Sequence, residues 1–391
     1  MKRYVAKRET ERLVSAKLIV RNFSCFKSLE VDFKRLTVFI GEQASGKSVT
    51  CKLFYFFTQT FRNTFAACLG EQLSFDSFLK KIEEQFHLIF PDPAWQSDTF
   101  SITWQHGNTT ITVLHTRTAK KVNIQCDAYR KNYDLALAEL NKIDSGKNRR
   151  NSFDEEMNLR LHSRFIVSKS TASLILPAVD YIPAGRSFFS TIQENVFALL
   201  SENIGIDYFL KEFGRKIEMH KFRFARHESE YSLRNFENIL HGTYHYDGKE
   251  QWIIRDGKHK TRLADASSGQ QEALPLLLIL SRLLRTDIVT SSPRRVVIEE
   301  PEAHLFPTAQ MEIVELLRQL VNNTSLGFVI TTHSPFILCC LNNLITKSKS
   351  IRDSVSAYHL HDGIGEPLYD ETLGLIDAKR FDDISTDIVN G

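Results

Sequence analysis

Eight residues, Gly41-Glu42-Gln43-Ala44-Ser45-Gly46-Lys47-Ser48, have the types and spacing needed to hold phosphate groups. They match G-x-x-x-x-G-K-[ST] and lie between Leu36–Ile40, which reads as a buried strand, and Ser48–Thr60, which reads as a buried helix. Glycine lets a backbone wrap an anion closely, and the N–H groups of the loop and helix start face that anion. Lys47 would add a cation at the phosphates, and Ser48 a hydroxyl ligand for Mg²⁺. The residues expected to contact the nucleotide here are Gly41, Glu42, Gln43, Ala44, Ser45, Gly46, Lys47, Ser48 and Val49.

A second group of polar residues follows the apolar run Val296–Ile298, which predicts a buried strand. Ligands collect at the carboxyl ends of parallel strands, where α/β nucleotide enzymes hold their metal. Glu299 is therefore the expected Mg²⁺ ligand, and Glu300 the expected general base that polarises the attacking water. A solvated acidic loop is the simpler interpretation, but the upstream phosphate loop favours the catalytic one.

Two further motifs could meet a γ-phosphate. Ser267, Ser268, Gly269 and Gln270 open an apolar helix, either as an N-cap or as a helix N-terminus offered to the phosphate bound by a second subunit. His333 follows another buried run, either as a structural hydrogen-bonding residue or as a contact to the γ-phosphate.

The elements that position these motifs alternate between strands and helices, which predicts an α/β fold with a mainly parallel central sheet flanked by helices. Three regions are expected. Residues 1–59 form the first part of the nucleotide-binding domain, 60–175 an α+β insertion with helices and a hairpin, and 176–391 the second part of that domain.

Composition limits the class of protein. The chain has 391 residues, a mass of 45.0 kDa and a net charge of +3, so any nucleic-acid surface must be local. Six cysteines without a Cys-x-x-Cys pair, no secretory signal and no long apolar run predict a cytoplasmic protein with no membrane segment. Three basic segments could bind DNA, RNA or an acidic partner protein: Lys120–Arg150, Lys211–Arg226 and Arg255–Arg262.

Together the four motifs resemble those of the ATP-binding-cassette (ABC) ATPases: Walker A, a degenerate signature motif, Walker B and the switch histidine. Glu299-Glu300-Pro301-Glu302-Ala303-His304-Leu305-Phe306-Pro307 is similar to a run of the overcoming-lysogenization-defect (OLD) ATPases and their AAA-type relatives in phage defence. Tyr181–Arg186 is similar to a second run of that group, with Gly185 in place of an acid. The signature reads Ser-Ser-Gly-Gln-Gln, so either Ser267 or Ser268 could contact the phosphate.

The resemblance implies an ATPase that uses ATP and Mg²⁺, with Glu300 and His333 as catalytic residues. It implies a homodimer or higher oligomer in which ATP lies between Walker A of one subunit and residues 267–270 of the next. The chain would be the sensor or regulatory subunit of a prokaryotic anti-phage system and would control a separate effector, expected to be a nuclease. The rivals are a RecF-like DNA-repair ATPase and an ABC transporter ATPase.

The end of the sequence is expected to lack the metal-binding nuclease domain of the OLD proteins, because few residues follow His333. Its acidic residues are interpreted as a solvated, frayed tail: Asp370, Glu371, Asp377, Asp382 and Asp383.

Overall fold

The computed structural model describes residues 16–107, 109–119, 121–145, 166–167, 169, 177–191, 206–226, 234–286, 294–348 and 351–378. In these residues the chain builds one large mixed sheet with helices on both faces. This arrangement confirms the expected α/β class.

The strands of the large sheet are β1 (Ala16–Phe23), β2 (Phe26–Phe33), β3 (Leu36–Ile40), β4 (Phe100–His106), β5 (Thr109–His115), β6 (Asn123–Gln125), β7 (Ala178–Ile182), β11 (Arg294–Glu299), β12 (Gly327–Thr332), β13 (Val355–His361) and β14 (Ile364–Pro367). Their order across the sheet is β6-β5-β4-β1-β2-β14-β13-β3-β12-β11-β7. A smaller sheet contains β8 (Thr243–Tyr246), β9 (Gln251–Arg255) and β10 (His259–Arg262), and a short ribbon contains β15 (Tyr369–Asp370) and β16 (Leu375–Ile376).

The helices are α1 (Lys47–Tyr55), α2 (Phe61–Gly70), α3 (Phe75–Ile89), α4 (Asp127–Ser145), α5 (Ser187–Thr191), α6 (Tyr208–Arg226), α7 (Arg234–Leu240), α8 (Ser268–Thr286), α9 (Pro307–Asn323) and α10 (Pro335–Lys347). A five-residue π-helical segment, Phe56–Thr60, joins α1 to α2. In that segment the Gln59 side chain accepts a hydrogen bond from Val179 N, 2.7 Å away, which ties it to β7.

The parallel half of the sheet carries the predicted motifs. β13, β3, β12, β11 and β7 run parallel, and every residue of β3 and β12 is buried. Because helices cover both faces, such strands read as continuous apolar runs. Successive side chains of these strands point to opposite faces of the sheet and pack into two separate hydrophobic cores. Val297 and Val329 belong to one core, and Val296 and Ile330 belong to the other.

The antiparallel half is built differently. In β2, buried Leu29, Val31 and Phe33 alternate with exposed Glu30 and Asp32, as the sequence pattern predicts. The predicted hairpin forms β4 and β5, and β4 pairs along β1. Strands from the region 60–175 therefore extend the large sheet directly.

For residues 370–378 the expectation of a frayed tail is wrong, because this part of the chain is ordered, although Glu371 and Asp377 are exposed to solvent as expected. β13 pairs with β3 next to the phosphate loop, and β15 pairs with β16. Asp370 accepts hydrogen bonds from the backbone N–H groups of Thr372 and Leu373. Asp382 and Asp383, like Lys120 and residues 146–150 of the first basic segment, lie outside the described residues.

Candidate active site

The phosphate loop runs from the end of β3 to the start of α1, as predicted. Gly41 has φ +154° and Gly46 has φ +98°, a backbone region that favours glycine. A Cβ on Gly46 would lie 2.2 Å from the Phe26 ring, and one on Gly41 would lie 2.3 Å from the Leu360 carbonyl oxygen. Packing as well as conformation therefore requires glycine at both positions.

Lys47 lies inside this loop. Its ammonium donates to the carbonyl oxygens of Gly41 and Glu42, at 2.7 and 2.6 Å, and only 6% of the residue is exposed. Burial lowers the pKa of Lys47 below its ordinary value, while the nearby carboxylates of Glu300 and Glu302 oppose that shift. The lysine of the first motif thus lies in the electric field of the glutamates that follow β11.

Glu299 ends β11 and is almost fully buried. One carboxylate oxygen accepts a 2.8 Å hydrogen bond from the Tyr181 hydroxyl, and the other accepts a 3.1 Å bond from Ala184 N. Burial, followed by the charge of Glu299, raises the pKa of Tyr181 well above its ordinary value, so the tyrosine stays a donor. A carboxylate oxygen can accept more than one hydrogen bond, so each Glu299 oxygen could also accept one from the water shell of a hydrated cation.

Glu300 has the geometry expected of a functional residue. Its φ is +44°, an uncommon conformation for a non-glycine residue, and its N–H donates to the Thr331 carbonyl at 3.0 Å. A carboxylate oxygen lies 3.1 Å from Nε2 of His333. The predicted base and the predicted switch histidine are therefore in direct contact, and both side chains are about one-third exposed.

Glu302 is a further residue of the site, and its role is not evident from the sequence. One of its oxygens accepts hydrogen bonds from the Thr332 hydroxyl and from His333 N, both at 2.7 Å. This double contact fixes the backbone that carries His333. Burial raises the pKa of Glu302 above its ordinary value, against the lowering effect of these hydrogen bonds.

Arg186 joins the segments of the site, and its side chain is fully buried. The guanidinium donates to the carbonyl oxygens of Glu299 and Glu300, at 2.7 and 3.0 Å, and to those of Pro183 and Glu272. It also pairs with the Glu272 carboxylate at 3.3 Å. Since Glu272 lies in the first turns of α8, Arg186 links the start of that helix to the end of β11.

Within residues 267–270 the two serines differ. Ser267 caps α8, and its N–H and hydroxyl both donate to the Gln270 side chain, 3.1 Å away. Gln270 is buried and donates to the Leu240 carbonyl at 2.6 Å, so its side chain is used inside the protein. Both serines are exposed, and Ser268 lies at the first position of α8. A Cβ on Gly269 would lie 2.8 Å from the His304 carbonyl oxygen.

The predicted residues thus fall into two groups. The phosphate loop, Glu299, Glu300 and His333 converge at the carboxyl ends of β3, β11 and β12. Glu42, Gln43, Ala44 and Ser48 are exposed on the loop and α1, and Val49 is half-buried. The start of α8 lies instead against the segment that follows β11. The role of Arg186 had only a weak sequence signal, its place in the Tyr181–Arg186 run.

The cationic loop, the Ser48 hydroxyl and the Glu299 carboxylate suit Mg²⁺ and a triphosphate, since hard oxygen ligands and a lysine are what those groups bind. Among the described helices, none has both the length and the apolar character that a bilayer-spanning segment requires.

Comparison with solved structures finds Smc and RecF proteins. The Smc head bound to the C-terminal winged-helix domain of ScpA matches with a TM-score of 0.45 and 12% identity, over 90% of this chain and 96% of that one. The SMC head domain from Thermotoga maritima has a TM-score of 0.38 and 12% identity over 90% and 98%. The recombination mediator protein RecF of the RecFOR pathway has a TM-score of 0.33 and 12% identity over 90% of this chain and 98% of that one.

No curated protein matches the sequence. A family model does, and it covers residues 16–173 and 186–338, which include the phosphate loop, Glu299, Glu300 and His333. On this match over most of its length, the chain belongs to the AAA ATPase domain family.

Proposed function

We propose that the chain is an ABC-type ATPase that binds ATP with Mg²⁺ and hydrolyses it to ADP and phosphate. One observation carries this proposal: the phosphate loop, with the Lys47 ammonium bonded inside it, lies at the same end of the parallel strands as the Glu300 carboxylate, which contacts His333. Mg²⁺, held by Ser48 and Glu299, would neutralise phosphate charge.

The residues of the chain supply the proton transfers. Glu300 accepts a proton from the attacking water, and His333, 3.1 Å from that carboxylate, is placed to sense its charge. Glu302 holds His333 in position by accepting a hydrogen bond from the backbone N–H of His333. The buried Arg186 fixes the carbonyl of Glu300, and so the direction in which its carboxylate points.

Lys47→Ala tests the assignment. Without the cation, nucleotide binding and turnover should fall at least tenfold, because the loop loses its point charge on the phosphates. Lys52→Ala is the matched control, since Lys52 lies on the same helix but pairs with Asp207 at 2.8 Å. ATP binding by calorimetry and phosphate release are measured; wild-type values for Lys47→Ala would refute the ATPase assignment.

We also propose that two chains share each ATP. Ser268 is exposed at a helix N-terminus, where it can meet an anion bound by another subunit. One large apolar side chain is exposed at the start of each of α9 and α10: Phe306 is 75% exposed and Phe336 is 55% exposed. These helix starts are adjacent, because Ser334 Oγ donates to Gln310 at 2.7 Å. Such a surface beside the site is typical of an interface.

The interface can be tested with Phe306→Asp and Phe336→Asp. Each should weaken the ATP-dependent dimer of a hydrolysis-deficient chain, because a charge would have to be desolvated at the interface. Leu135→Asp is the control, since Leu135 is 58% exposed on helix α4, which packs against α2 and α3. Dimerisation unchanged in both phenylalanine variants, measured by sedimentation, would exclude this face.

The proposed biological role is that of a cytoplasmic sensor or regulatory subunit of an anti-phage system, acting on a separate nuclease effector. Its support is the similarity of residues 299–307 to the run in OLD-like ATPases. Affinity capture of the tagged chain from its native host, with and without phage infection, tests this role. Recovery of a nuclease whose association depends on ATP is expected; recovery of replication or repair proteins alone would refute it.

A RecF-like DNA-binding ATPase is the second candidate, favoured by one surface. The hairpin β9–β10 exposes Arg255, Lys258, Lys260 and Arg262 on the smaller sheet. Phosphate backbones bind such residues in a strongly salt-dependent way. If this role is correct, Lys258→Glu combined with Lys260→Glu should abolish binding to duplex DNA without changing ATP turnover. No salt-dependent DNA binding by the wild type would exclude it.

A further inference from the structure

Two histidines and a glutamate lie together on one face of the hairpin β13–β14. His359 and His361 are two residues apart on β13, so both side chains lie on the same face. Glu366 pairs directly with His359 in the register of the two strands and therefore shares that face. One potential ligand atom from each residue lies within 4.8 Å of the other two.

One distance within this cluster matches the separation between two ligands of a metal centre. His361 Nε2 lies 3.2 Å from a Glu366 oxygen, close to the roughly 3.3–3.5 Å between ligands of a tetrahedral zinc with bonds of about 2.0–2.2 Å. The rings of His359 and His361 stack with centroids 4.7 Å apart and an interplanar angle of 24°. All three residues are half-buried, so an ion can enter while the strands limit their motion.

A carboxylate also holds the second nitrogen of one histidine. Asp362 lies with an oxygen 3.3 Å from Nδ1 of His361, the nitrogen that faces away from Glu366. Metal-binding histidines usually have such a partner, because it fixes the ring and makes the other nitrogen a better ligand. An ordinary surface ion pair between His361 and Glu366 would need neither this partner nor His359.

We propose that His359, His361 and Glu366 form a binding site for a divalent transition metal of the zinc class. Two imidazoles and one carboxylate suit Zn²⁺, whereas Mg²⁺ prefers oxygen ligands alone. The site is separate from the magnesium expected at Ser48 and Glu299, and it lies beyond the residues matched by the family model.

The site would stabilise the hairpin beside the phosphate loop. His359 pairs with Ile40, the residue before the loop, and the Leu360 carbonyl lies against Gly41. On the other side, the Gly363 carbonyl accepts hydrogen bonds from the N–H groups of Lys27 and Ser28. A metal that joins β13 to β14 would therefore stiffen one wall of the nucleotide site.

The test uses the full-length protein, treated with a chelator, freed of nucleotide and titrated with Co²⁺. We expect the visible absorption of bound Co²⁺ to saturate at one Co²⁺ per chain. Adding Zn²⁺ should displace the Co²⁺ and remove this absorption. His361→Ala, His359→Ala and Glu366→Gln should each weaken Co²⁺ binding at least tenfold. Circular dichroism verifies that each variant is folded.

His87→Ala is the matched control. His87 is also a partly exposed histidine in contact with a carboxylate, since its Nδ1 lies 2.8 Å from Asp92 Oδ1. This substitution should leave Co²⁺ binding unchanged. Two results would overturn the proposal. The first is no saturable binding. The second is binding that survives His361→Ala and shows thiolate charge-transfer bands, which would assign the metal to a cysteine such as the exposed Cys339.

Discussion

Replacing Arg186 by lysine keeps the positive charge but removes the guanidinium group, whose hydrogen bonds join three segments of the site. The guanidinium donates to four backbone carbonyl oxygens, those of Pro183, Glu272, Glu299 and Glu300. A lysine ammonium carries three N–H groups on one atom, so it cannot reach acceptors on three separate segments at once. We therefore expect at least two buried oxygens to lose their donor.

The magnitude follows from the burial. A buried polar group left without a partner costs about 1–3 kcal/mol, so two of them give about 2–6 kcal/mol of lost stability. That is a large part of the 5–15 kcal/mol typical of a folded domain, although it need not unfold the chain. Because the Glu300 carbonyl is one of the affected oxygens, turnover should fall about tenfold or more while ATP binding through Lys47 changes less.

Guanidinium unfolding and steady-state ATPase assays measure these two effects. Arg215→Lys is the control. The Arg215 side chain is 67% exposed, and the ion pair described for it is with Glu212, three residues earlier. This substitution should change the free energy of unfolding by less than about 0.5 kcal/mol. The reasoning is refuted if Arg186→Lys unfolds at the same guanidinium concentration as the wild type and hydrolyses ATP at the same rate.

Three further predictions concern the site. Glu300→Gln should bind ATP, lose turnover and accumulate as a dimer with ATP and Mg²⁺ on sizing; wild-type turnover would show that Glu300 is not the base. Burial raises the pKa of Glu302 above 4.5, so the folded state holds that proton more tightly than the unfolded one. Wild-type stability, measured against that of Glu302→Gln by urea unfolding, should therefore fall as the pH rises through the folded pKa; parallel pH profiles would contradict this. Ser268→Asp should lose activity alone and regain part of it when mixed with Lys47→Ala, because one intact composite site forms; full activity of Ser268→Asp alone would exclude a shared site.

The motifs were predictable because each depends on local order. The phosphate loop needs a strand, glycines and a helix start in sequence, and Glu299, Glu300 and His333 each follow an apolar run. Their convergence follows from the rule that parallel strands present their carboxyl ends together. The hydrogen bonds of Arg186 were not predictable, because its acceptors are distant in the sequence and are chiefly backbone atoms.

The strand β13 was missed for a related reason. Its sequence, Val-Ser-Ala-Tyr-His-Leu-His, mixes polar and apolar residues in a way that does not look like a buried central strand. Ser356 is nonetheless 5% exposed, because its hydroxyl donates to the Asp32 carbonyl at 2.7 Å and contacts Thr37. Only the tertiary structure supplies those partners, so single-sequence patterns under-predict such strands.

The position of β3 between β12 and β13 has a consequence for how the protein is made. Both neighbours of β3 leave the ribosome long after β3 itself, so the nascent strand exposes two unpaired edges during most of synthesis. Such long-range pairing is slow and leaves newly made chains open to aggregation. The wall that Leu360 forms against Gly41 is also absent until then, so the nascent chain should acquire its nucleotide affinity only when β13 has docked.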